Sequence, residues 1–392
     1  MLTKFLKGWL MPLFLVLSIA AFAAGGWWLW APIVGVFAVF LLGDWVLPRD
    51  LTPPIQSDSR IFDLPVYSVL PLLLALNGIL FWMLGSGDVA QIGEWLRGST
   101  GIDLFAAREA TSSWAQWLGG VLSAGFLNAL AGTVAAHELT HRTSKPLDMV
   151  VGRWLLTFTA DTAFAIEHVY GHHARVATPD DPATARRGEG YYAFAWRSTI
   201  HSYVHAYQME KARLAKFGKS VWNPAASPFM RGTLANLVPA IAAFALAGFT
   251  GLAVWIAVAF IGKELLETQN YFAHYGLVRE PGSPVRPRHS WNSTHWMSTS
   301  VLYSLARHSH HHAEADAAYW TLDAMPTAPT LPGGYLVMIP LALIPPLFKR
   351  AMTPALNEWD RSCATPAERE LAREASLKSG MRGLELAAPL AT

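Results

Sequence analysis

His137-Glu138-Leu139-Thr140-His141 is the first of four histidine clusters around which this sequence is organised. Ten of the 14 histidines lie in these clusters, and each cluster follows or interrupts an apolar stretch. Imidazole suits iron, copper, zinc and nickel, and a site this rich in histidine with almost no thiolate argues against an iron–sulfur cluster or a structural zinc site. The other three clusters are Glu167-His168 with His172-His173, Asn270 to Gly276 around His274, and Arg307 to His312.

The composition indicates a membrane protein. Hydrophobic residues make up 52% of the 392 residues and charged residues only 15%, whereas soluble domains carry roughly 25% charged residues. The net charge of +2 is too small to indicate a nucleic-acid partner. The single cysteine, Cys363, excludes an intramolecular disulfide and gives no indication of the redox compartment.

The apolar runs predict an all-α integral membrane protein with six transmembrane helices, and the histidine clusters are expected to form a cytoplasmic region beside them. A helix needs about 20 apolar residues to cross the hydrocarbon. The run from Thr233 to Ile261 exceeds one span. We expect two helices there that meet near Gly248 to Gly251, and one continuous tilted helix is the alternative. The first four spans are expected at residues 9–23, 27–47, 64–84 and 114–136.

The N-terminal run also resembles a secretory signal peptide. Lys4 and Lys7 precede it, and it ends in Ala21-Phe22-Ala23. A second apolar run follows almost at once, which favours a retained hairpin that turns at Gly25-Gly26.

The predicted organisation alternates membrane helices with histidine-bearing regions. Lys4, Lys7, Arg49 and Arg60 fall on the same predicted side as both long histidine regions, while the loop 85–113 has no excess of basic residues. The positive-inside rule therefore predicts an inner-membrane protein with both termini and all four clusters in the cytoplasm. The expected domains are 1–136 with transmembrane helices 1 to 4, 137–231 with the first two clusters, 232–270 with helices 5 and 6, and 271–392 with the last two clusters and the tail.

Two C-terminal segments are not expected to cross the membrane. The short apolar stretch from Tyr335 to Phe348 contains three prolines, so we expect it in the interface or against the bundle and not as a span. The tail after Thr353 alternates charge and alanine and is expected to form a solvated helix.

The spacing within the clusters is that of metal ligands on helices. Residues at i and i+4 lie on one face of an α-helix, and this spacing relates His137 to His141, His168 to His172, and His308 to His312. Each cluster could therefore present two or three imidazoles to a common centre. An HExxH motif alone also suits a zinc protease. Nine or more imidazoles exceed the three protein ligands of a catalytic zinc ion, and the excess indicates two metal ions.

The remaining histidines are weaker candidates. His201 and His205 share the i, i+4 spacing, but their polar neighbours are typical of a surface helix. His289 and His295 lie in a proline-rich stretch and are interpreted as loop residues or as residues that support a ligand.

Together the clusters resemble the membrane alkane hydroxylases and the related xylene monooxygenase hydroxylase subunits, which belong to a fatty acid desaturase-like superfamily. The resemblance covers roughly residues 120–348 and includes the segment from Pro287 to Asn292. It implies six helices, an active site on the cytoplasmic side and two non-haem iron ions (Fe2+/Fe3+). The ligands it implies are His137, His141, His168, His172, His173, His274, His308, His311 and His312.

The resemblance also implies the reaction. One oxygen atom from O2 would enter an unactivated C–H bond of a hydrophobic hydrocarbon, either a terminal alkane carbon or an alkylarene methyl group, to give an alcohol. The substrate would arrive from the lipid bilayer. Because the sequence has no flavin or nicotinamide motif, electrons would come from rubredoxin or a ferredoxin-type reductase and ultimately from NAD(P)H.

An electron donor needs a docking surface, and basic residues between the second and third clusters are the hypothesis for it. An acidic donor would be attracted to such a surface. Contact with anionic lipid is the equally weighted alternative. The residues are Arg186, Arg187, Lys211, Arg213, Lys216 and Lys219.

This chain differs from the family pattern at two positions, and two other functions are alternatives to the hydroxylase. The family usually carries glutamate where this chain has Ala273, and often aspartate where it has His310. A fatty-acyl or carotenoid desaturase or hydroxylase is the first alternative function. A metal transporter or sensor is the second, although it is expected to place ionisable residues inside its spans.

Overall fold

The computed structural model describes residues 1–56 and 60–385, and over these residues the chain is helical. The only β-pairing within them is an isolated bridge between Asn292 and Thr330. In chain order the α-helices are α1 (Leu2–Gly8), α2 (Leu10–Ala24), α3 (Ala31–Val46), α4 (Asp63–Leu84), α5 (Ile92–Thr100), α6 (Leu104–Ala110), α7 (Trp114–Leu127), α8 (Val134–Thr140), α9 (Pro146–Leu156), α10 (Phe164–Ile166), α11 (His173–Arg175), α12 (Tyr191–Ala215), α13 (Pro228–Ala235), α14 (Leu237–His274), α15 (Trp296–Val301), α16 (His308–Ala313), α17 (Tyr335–Ala342), α18 (Pro345–Glu358) and α19 (Pro366–Ser379).

Wider π-helical turns interrupt this pattern at three places. The first lies between α7 and α8, the second forms most of the second histidine cluster, and the third follows α18. Single π turns inside α-helices are rare and occur frequently at functional sites. Their bounds are Asn128–Thr133, Glu167–His172 and Trp359–Cys363.

Five helical segments of the described chain are long and apolar enough to cross a bilayer, judged by length and composition. The first four agree with the predicted runs. The stretch from Tyr335 to Phe348 is not among them, as expected, and it forms α17 and the start of α18. The five are Leu2–Ala24, Gly26–Val46, Arg60–Leu84, Trp114–Thr140 and Pro228–His274.

The fifth segment is divided by a sharp break. Ala247 and Gly248 leave helical geometry, with φ of −141° and 59°. A Cβ atom on Gly251 would lie 2.1 Å from the carbonyl oxygen of Ala243, although residues eight apart in a straight helix are about 12 Å apart along the axis. The chain therefore folds back at Gly248, which confirms the expected meeting point and excludes a continuous helix.

The N-terminal pair of helices turns at the predicted glycines. Gly25 and Gly26 have φ of 66° and 59°, a region that residues with a Cβ atom rarely adopt. A Cβ atom on Gly25 would also lie 2.2 Å from the carbonyl oxygen of Ala107. The turn thus depends on glycine both for its backbone geometry and for the close approach of α6.

Contacts divide the chain into two compact units. Unit 1 comprises Met1–Phe40, Ser57–Thr162 and Met230–Lys263. Inside it, Asn77 of α4 and Asn128 exchange two side-chain hydrogen bonds of 2.9 and 3.2 Å. The pair satisfies two amides that would otherwise be costly to bury.

Unit 2 comprises Leu41–Gln56, Ala163–Phe229 and Glu264–Thr392. Its fourth histidine cluster is anchored by the fully buried Arg307, which donates hydrogen bonds to the carbonyl oxygens of Leu322 (2.6 Å) and Thr52 (2.9 Å). The guanidinium also lies 3.5 Å from the Asp50 carboxylate. The arginine that opens the cluster is therefore a structural anchor for α16.

The expectation of a solvated tail is wrong. Helix α19 packs into unit 2, and Glu368 and Ala372 are buried on it. Arg187 contributes to this packing through two hydrogen bonds to Asp360, of 2.7 and 2.6 Å, and one to Ser376 of 2.8 Å. The charges of the tail pair with buried charges elsewhere in the unit, a pairing that composition does not reveal.

Glu368 is the main buried contact of α19. Its carboxylate accepts hydrogen bonds from Arg288 (2.8 and 3.0 Å), from His289 (2.8 Å) and from the backbone of Thr365 (2.9 Å). Burial raises the pKa of Glu368, but these hydrogen bonds outweigh burial and lower the pKa to about 2. The resulting stabilisation is complete above the ordinary pKa of 4.5 and is lost as the pH falls towards 2.

We predict that Glu368→Gln lowers the thermal unfolding midpoint of the detergent-solubilised protein at pH 7. The free energy of unfolding is expected to fall by about 3 kcal/mol. The variant keeps a side chain that can cap α19 and loses only the negative charge that Arg288 and His289 face. The difference from wild type should shrink below pH 4.5, because unfolded Glu368 then binds a proton that the folded protein does not take up until the pH approaches 2. Glu374→Gln on the exposed face of α19 is the matched control. A Glu368→Gln difference of the same size at pH 3 and pH 7 contradicts this assignment.

Candidate metal centre

The first cluster belongs to unit 1. The chain passes from α7 through a π-helical turn into α8, which carries His137 and ends just before His141. Both side chains are buried, and their ring centroids lie 4.9 Å apart. The i, i+4 spacing therefore places both imidazoles on one face, as predicted.

Arg142 holds the end of α8. Its guanidinium contacts the carboxylates of Asp63 at 2.5 Å, Glu138 at 2.6 Å and Asp148 at 3.2 Å. Burial lowers the pKa of Arg142, but the charges and hydrogen bonds of Glu138 and Asp63 outweigh burial and raise it. Removal of one partner would leave uncompensated buried charge. The network fixes the direction in which His137 and His141 leave the helix.

The second cluster, in unit 2, departs from the predicted α-helical spacing. Its residues Glu167–His172 form a π turn, in which the backbone hydrogen bonds join residues five apart. His168 accordingly pairs with His173, with an Nε2–Nε2 distance of 3.2 Å. His172 is directed to other partners, so this cluster divides its imidazoles between two centres.

The fourth cluster is α-helical, as the i, i+4 spacing of His308 and His312 predicts, and its histidines also belong to two centres. The Nε2 atoms of His308 and His312 are 3.1 Å apart, and His308 Nε2 is also 3.1 Å from Nε2 of His274 at the end of α14. His311 instead lies with its Nε2 3.0 Å from that of His173. All of these side chains are buried.

Two groups of imidazoles result within unit 2. Group A consists of His172, His274, His308 and His312, and group B consists of His168, His173 and His311. The candidate ligand atoms of His172, His274 and His312 lie within 4.8 Å of one another, and the same limit holds for the three residues of group B. The stacked rings of His173 and His312, with centroids 4.4 Å apart, bring the two groups together.

The donor geometry fits a metal ion in each group. Nitrogen atoms bound about 2.1 Å from one metal at a right angle are separated by about 3.0 Å, close to the observed 3.0 to 3.2 Å. His308 Nε2 faces two other Nε2 atoms, and one N–H can satisfy only one of them. Among the described residues, the buried Nε2 of His172 has no hydrogen-bond partner. A bound cation would satisfy these nitrogens together.

The charge state also suits metal binding. Burial lowers the pKa of His312 well below its ordinary value, and the neighbouring imidazoles lower it further. Neutral imidazole is the form that binds metal. His172 differs, because the charge and hydrogen bond of Asp181 outweigh the effect of burial and raise its pKa.

Two carboxylates beside the second cluster hold histidine rings, one a cluster residue and one outside the clusters, and neither contact was predicted from the sequence. Asp181 lies 2.9 Å from His172 Nδ1, and Glu167 lies 3.1 Å from His205 Nδ1. Such outer partners fix the orientation of metal-binding histidines. The only signal in the sequence is an acidic residue nine positions after His172, and nothing in the local pattern shows that its loop returns to that histidine.

The remaining histidines lie outside both groups. His310 Nδ1 accepts a hydrogen bond from the backbone of Asp323 at 2.7 Å. His289 accepts one from the backbone of Arg286 (3.1 Å) through Nδ1 and contacts Glu368 through Nε2, so both ring nitrogens are engaged. His295 Nδ1 lies 2.9 Å from Ser293 Oγ. His201 is exposed on α12.

Comparison with known proteins places these observations in a family. The family model described as fatty acid desaturase matches residues 112–342. Alkane 1-monooxygenase 1 of Pseudomonas aeruginosa is 33% identical over 85% of this chain and 84% of its own length, and alkane 1-monooxygenase 2 of the same organism is 33% identical over 85% of both chains. The xylene/toluene monooxygenase hydroxylase component of Pseudomonas putida is 30% identical over 96% of this chain and 95% of its own length.

These relatives carry monooxygenase names, which does not favour a desaturase or a transporter. The match extends across the membrane segments and all four histidine clusters. The chain therefore belongs to the fatty acid desaturase family and, within it, to the membrane-bound hydrocarbon monooxygenases related to alkane 1-monooxygenase and to the xylene/toluene hydroxylase component.

Proposed function

We propose that this protein is a non-haem di-iron monooxygenase that hydroxylates a hydrophobic hydrocarbon. The observation that carries the proposal is the convergence of seven buried imidazoles of unit 2 into two groups with metal-ligand spacing. The names of the relatives suggest the substrate class, which is a terminal alkane carbon or the methyl group of an alkylarene.

The proposed ligand set has nine histidines. Group A would hold one iron and group B the other, and His137 and His141 of the first cluster complete the set of nine. The burial of both first-cluster rings on one helical face supports their inclusion. The order of the clusters, which resembles that of the membrane alkane hydroxylases, supports it as well. Imidazole-rich, thiolate-free coordination suits iron.

The overall reaction is RH + O2 + 2 e− + 2 H+ → ROH + H2O. The bound irons would supply O2 activation and the cleavage of the C–H bond. This chain's own residues orient His172 through Asp181, and Arg142 and Arg307 hold the helix ends that carry the first and fourth clusters. They also keep the ligand nitrogens out of contact with water, because all nine ligand side chains are buried. Exclusion of water protects reactive intermediates from side reactions.

The electrons are proposed to come from rubredoxin or a ferredoxin-type reductase. The six basic residues of the docking hypothesis differ in burial and in their ion-pair partners. Arg187 is buried against Asp360, and Arg213 pairs with Glu210 at 2.7 Å. Lys216 and Lys219 are exposed, but they lie beside Phe217 and Trp222, whose exposed fractions are 67% and 66%. Aromatic and basic residues together are typical of a membrane interface, so this end of the surface favours lipid over a protein donor.

The membrane arrangement is also part of the proposal. We propose six spans in an inner membrane, with both termini and the histidine-bearing regions in the cytoplasm. The break at Gly248 supports two spans within the fifth apolar segment. The distribution of basic residues supports the orientation. The four-part division at residues 136, 231 and 270 follows from that arrangement.

Product analysis tests the reaction. We expect membranes that contain the protein, an electron-donor system and 18O2 to convert octane, toluene or xylene into an alcohol that carries one 18O atom. The same membranes with His311→Ala, which removes a proposed ligand, should give no product. Desaturated product without 18O, or no product from any of the three hydrocarbons, contradicts the proposal.

Metal analysis tests the ligand assignment. We expect about two irons per chain and no stoichiometric zinc, because each imidazole group fits one ion. His274→Ala, which removes a ligand of group A, should lower the content to about one iron. A content of one zinc and no iron in the wild-type protein refutes the two-iron assignment.

Substitution of His310 tests which histidines of the fourth cluster bind metal. On α16 it is turned roughly 160° away from His308, and its Nδ1 is occupied by Asp323. His310→Asn, which keeps an acceptor for that N–H, should retain both irons and most of the hydroxylation. His310→Ala should also keep both irons, with a loss of about 1 kcal/mol in stability. His308→Ala, His311→Ala and His312→Ala should each lose metal. If His310→Ala loses as much iron as His311→Ala, ten ligands are required.

A further inference from the structure

The loop after the second cluster carries a carboxylate that is fully constrained. Asp181 is buried, and each of its oxygens accepts a hydrogen bond. Oδ2 accepts from Thr184 Oγ1 at 2.6 Å and lies 2.9 Å from His172 Nδ1, while Oδ1 accepts from the backbone of Ala183 at 3.1 Å. The carboxylate therefore cannot rotate without the loss of hydrogen bonds in a buried environment, where each unsatisfied group costs about 1–3 kcal/mol.

The loop that holds Asp181 is itself fixed. Thr184 accepts a hydrogen bond from the backbone of Ala177 at 2.9 Å. Arg279, five residues after His274, donates to the carbonyl oxygens of Val176 (2.9 Å) and Ala174 (2.7 Å), and its backbone N–H donates to Ala177 at 2.7 Å. The segments after the second and third clusters are thus joined, and Asp181 approaches His172 from a rigid support.

This contact determines which nitrogen of His172 faces the centre. An ionised carboxylate only accepts hydrogen bonds, so Nδ1 of His172 must carry the proton and donate it. The lone pair is then on Nε2, the buried atom that has no hydrogen-bond partner in the described part of the chain. The candidate ligand atom of His172 lies within 4.8 Å of those of His274 and His312.

We propose that Asp181 is a positioning residue that holds His172 as an Nε2 ligand of the ion in group A. The inference rests on the two-iron function proposed above and adds a residue outside its nine ligands. A carboxylate on the second nitrogen fixes the tautomer and ring orientation of a metal-binding histidine and raises its basicity. Loss of such a partner lowers metal affinity about 10- to 100-fold.

The test compares two acidic neighbours in one loop. Asp181→Asn keeps the size of the side chain but removes its charge, and Asp180→Asn removes the same charge from an exposed position. Ferrous iron is titrated into the iron-depleted full-length proteins, and Mössbauer spectra are recorded with 57Fe. We expect Asp181→Asn to weaken one of the two iron sites about 10- to 100-fold and to shift one ferrous signal. Asp180→Asn should match the wild type.

A double-mutant cycle with His172→Ala separates positioning from a general role in folding. Because Asp181 is proposed to act through His172, Asp181→Asn should cause no further loss of iron in the His172→Ala protein. An equal loss in both backgrounds overturns the inference. So does an equal change of both Mössbauer signals, an unchanged Asp181→Asn protein, or its failure to accumulate in membranes when Asp180→Asn accumulates normally.

The two proposals fail in different ways. A wild-type protein that binds no iron refutes the two-iron function. A wild-type protein with two irons whose sites are insensitive to Asp181→Asn refutes only the role of Asp181.

Discussion

The close approach of seven buried imidazoles is the constraint on which unit 2 depends. Ring nitrogens of His274, His308 and His312 meet at 3.1 Å, and those of His168, His173 and His311 meet at 3.0 to 3.2 Å. Lone pairs at these distances repel unless a proton or a metal ion lies between them, and burial disfavours added protons. The end of α14, the π turn of the second cluster and α16 must therefore converge on positions that a cation can occupy. The hydrogen bonds of Arg307 and Asp181 hold α16 and His172 in these positions.

The π turn of the second cluster places its histidines in both groups. It directs His168 towards group B and His172 towards group A, a division that an α-helical turn with i, i+4 neighbours would not give. Gly171 is required by the same packing. A Cβ atom there would lie 2.7 Å from Glu167 Oε1 and 3.2 Å from His205 Cε1. The glycine of the second cluster thus leaves room for the carboxylate–imidazole pair that lies beside the ligands.

Local pattern predicted much of this protein. The apolar runs, the turn at Gly25-Gly26, the break near Gly248 and the helix at His308 all followed from length, glycine placement or periodicity. The division of ligands within the second cluster did not, because the spacing of His168, His172 and His173 is compatible with both an α turn and a π turn. Burial of α19 was also missed, since Glu368 pairs with Arg288 and Ser376 accepts a hydrogen bond from Arg187, and both arginines are distant in sequence. Asp181 escaped notice for the same reason: only tertiary structure brings its loop to His172.

Position 273, where the membrane alkane hydroxylases that this chain resembles usually have glutamate, is an alanine in this chain. Ala273 is buried, and its carbonyl oxygen accepts a hydrogen bond from the backbone of Trp291 at 2.9 Å, so this position contributes no carboxylate. The charges of Asp181, Glu167 and Glu267 all act on His172 instead. Glu267 is buried seven residues before His274, on the same face of α14. An ion held by neutral imidazoles keeps its full charge, and nearby carboxylates stabilise it most in its higher oxidation state. The carboxylates around His172 thus give group A a source of negative charge that does not depend on the glutamate of the family motif.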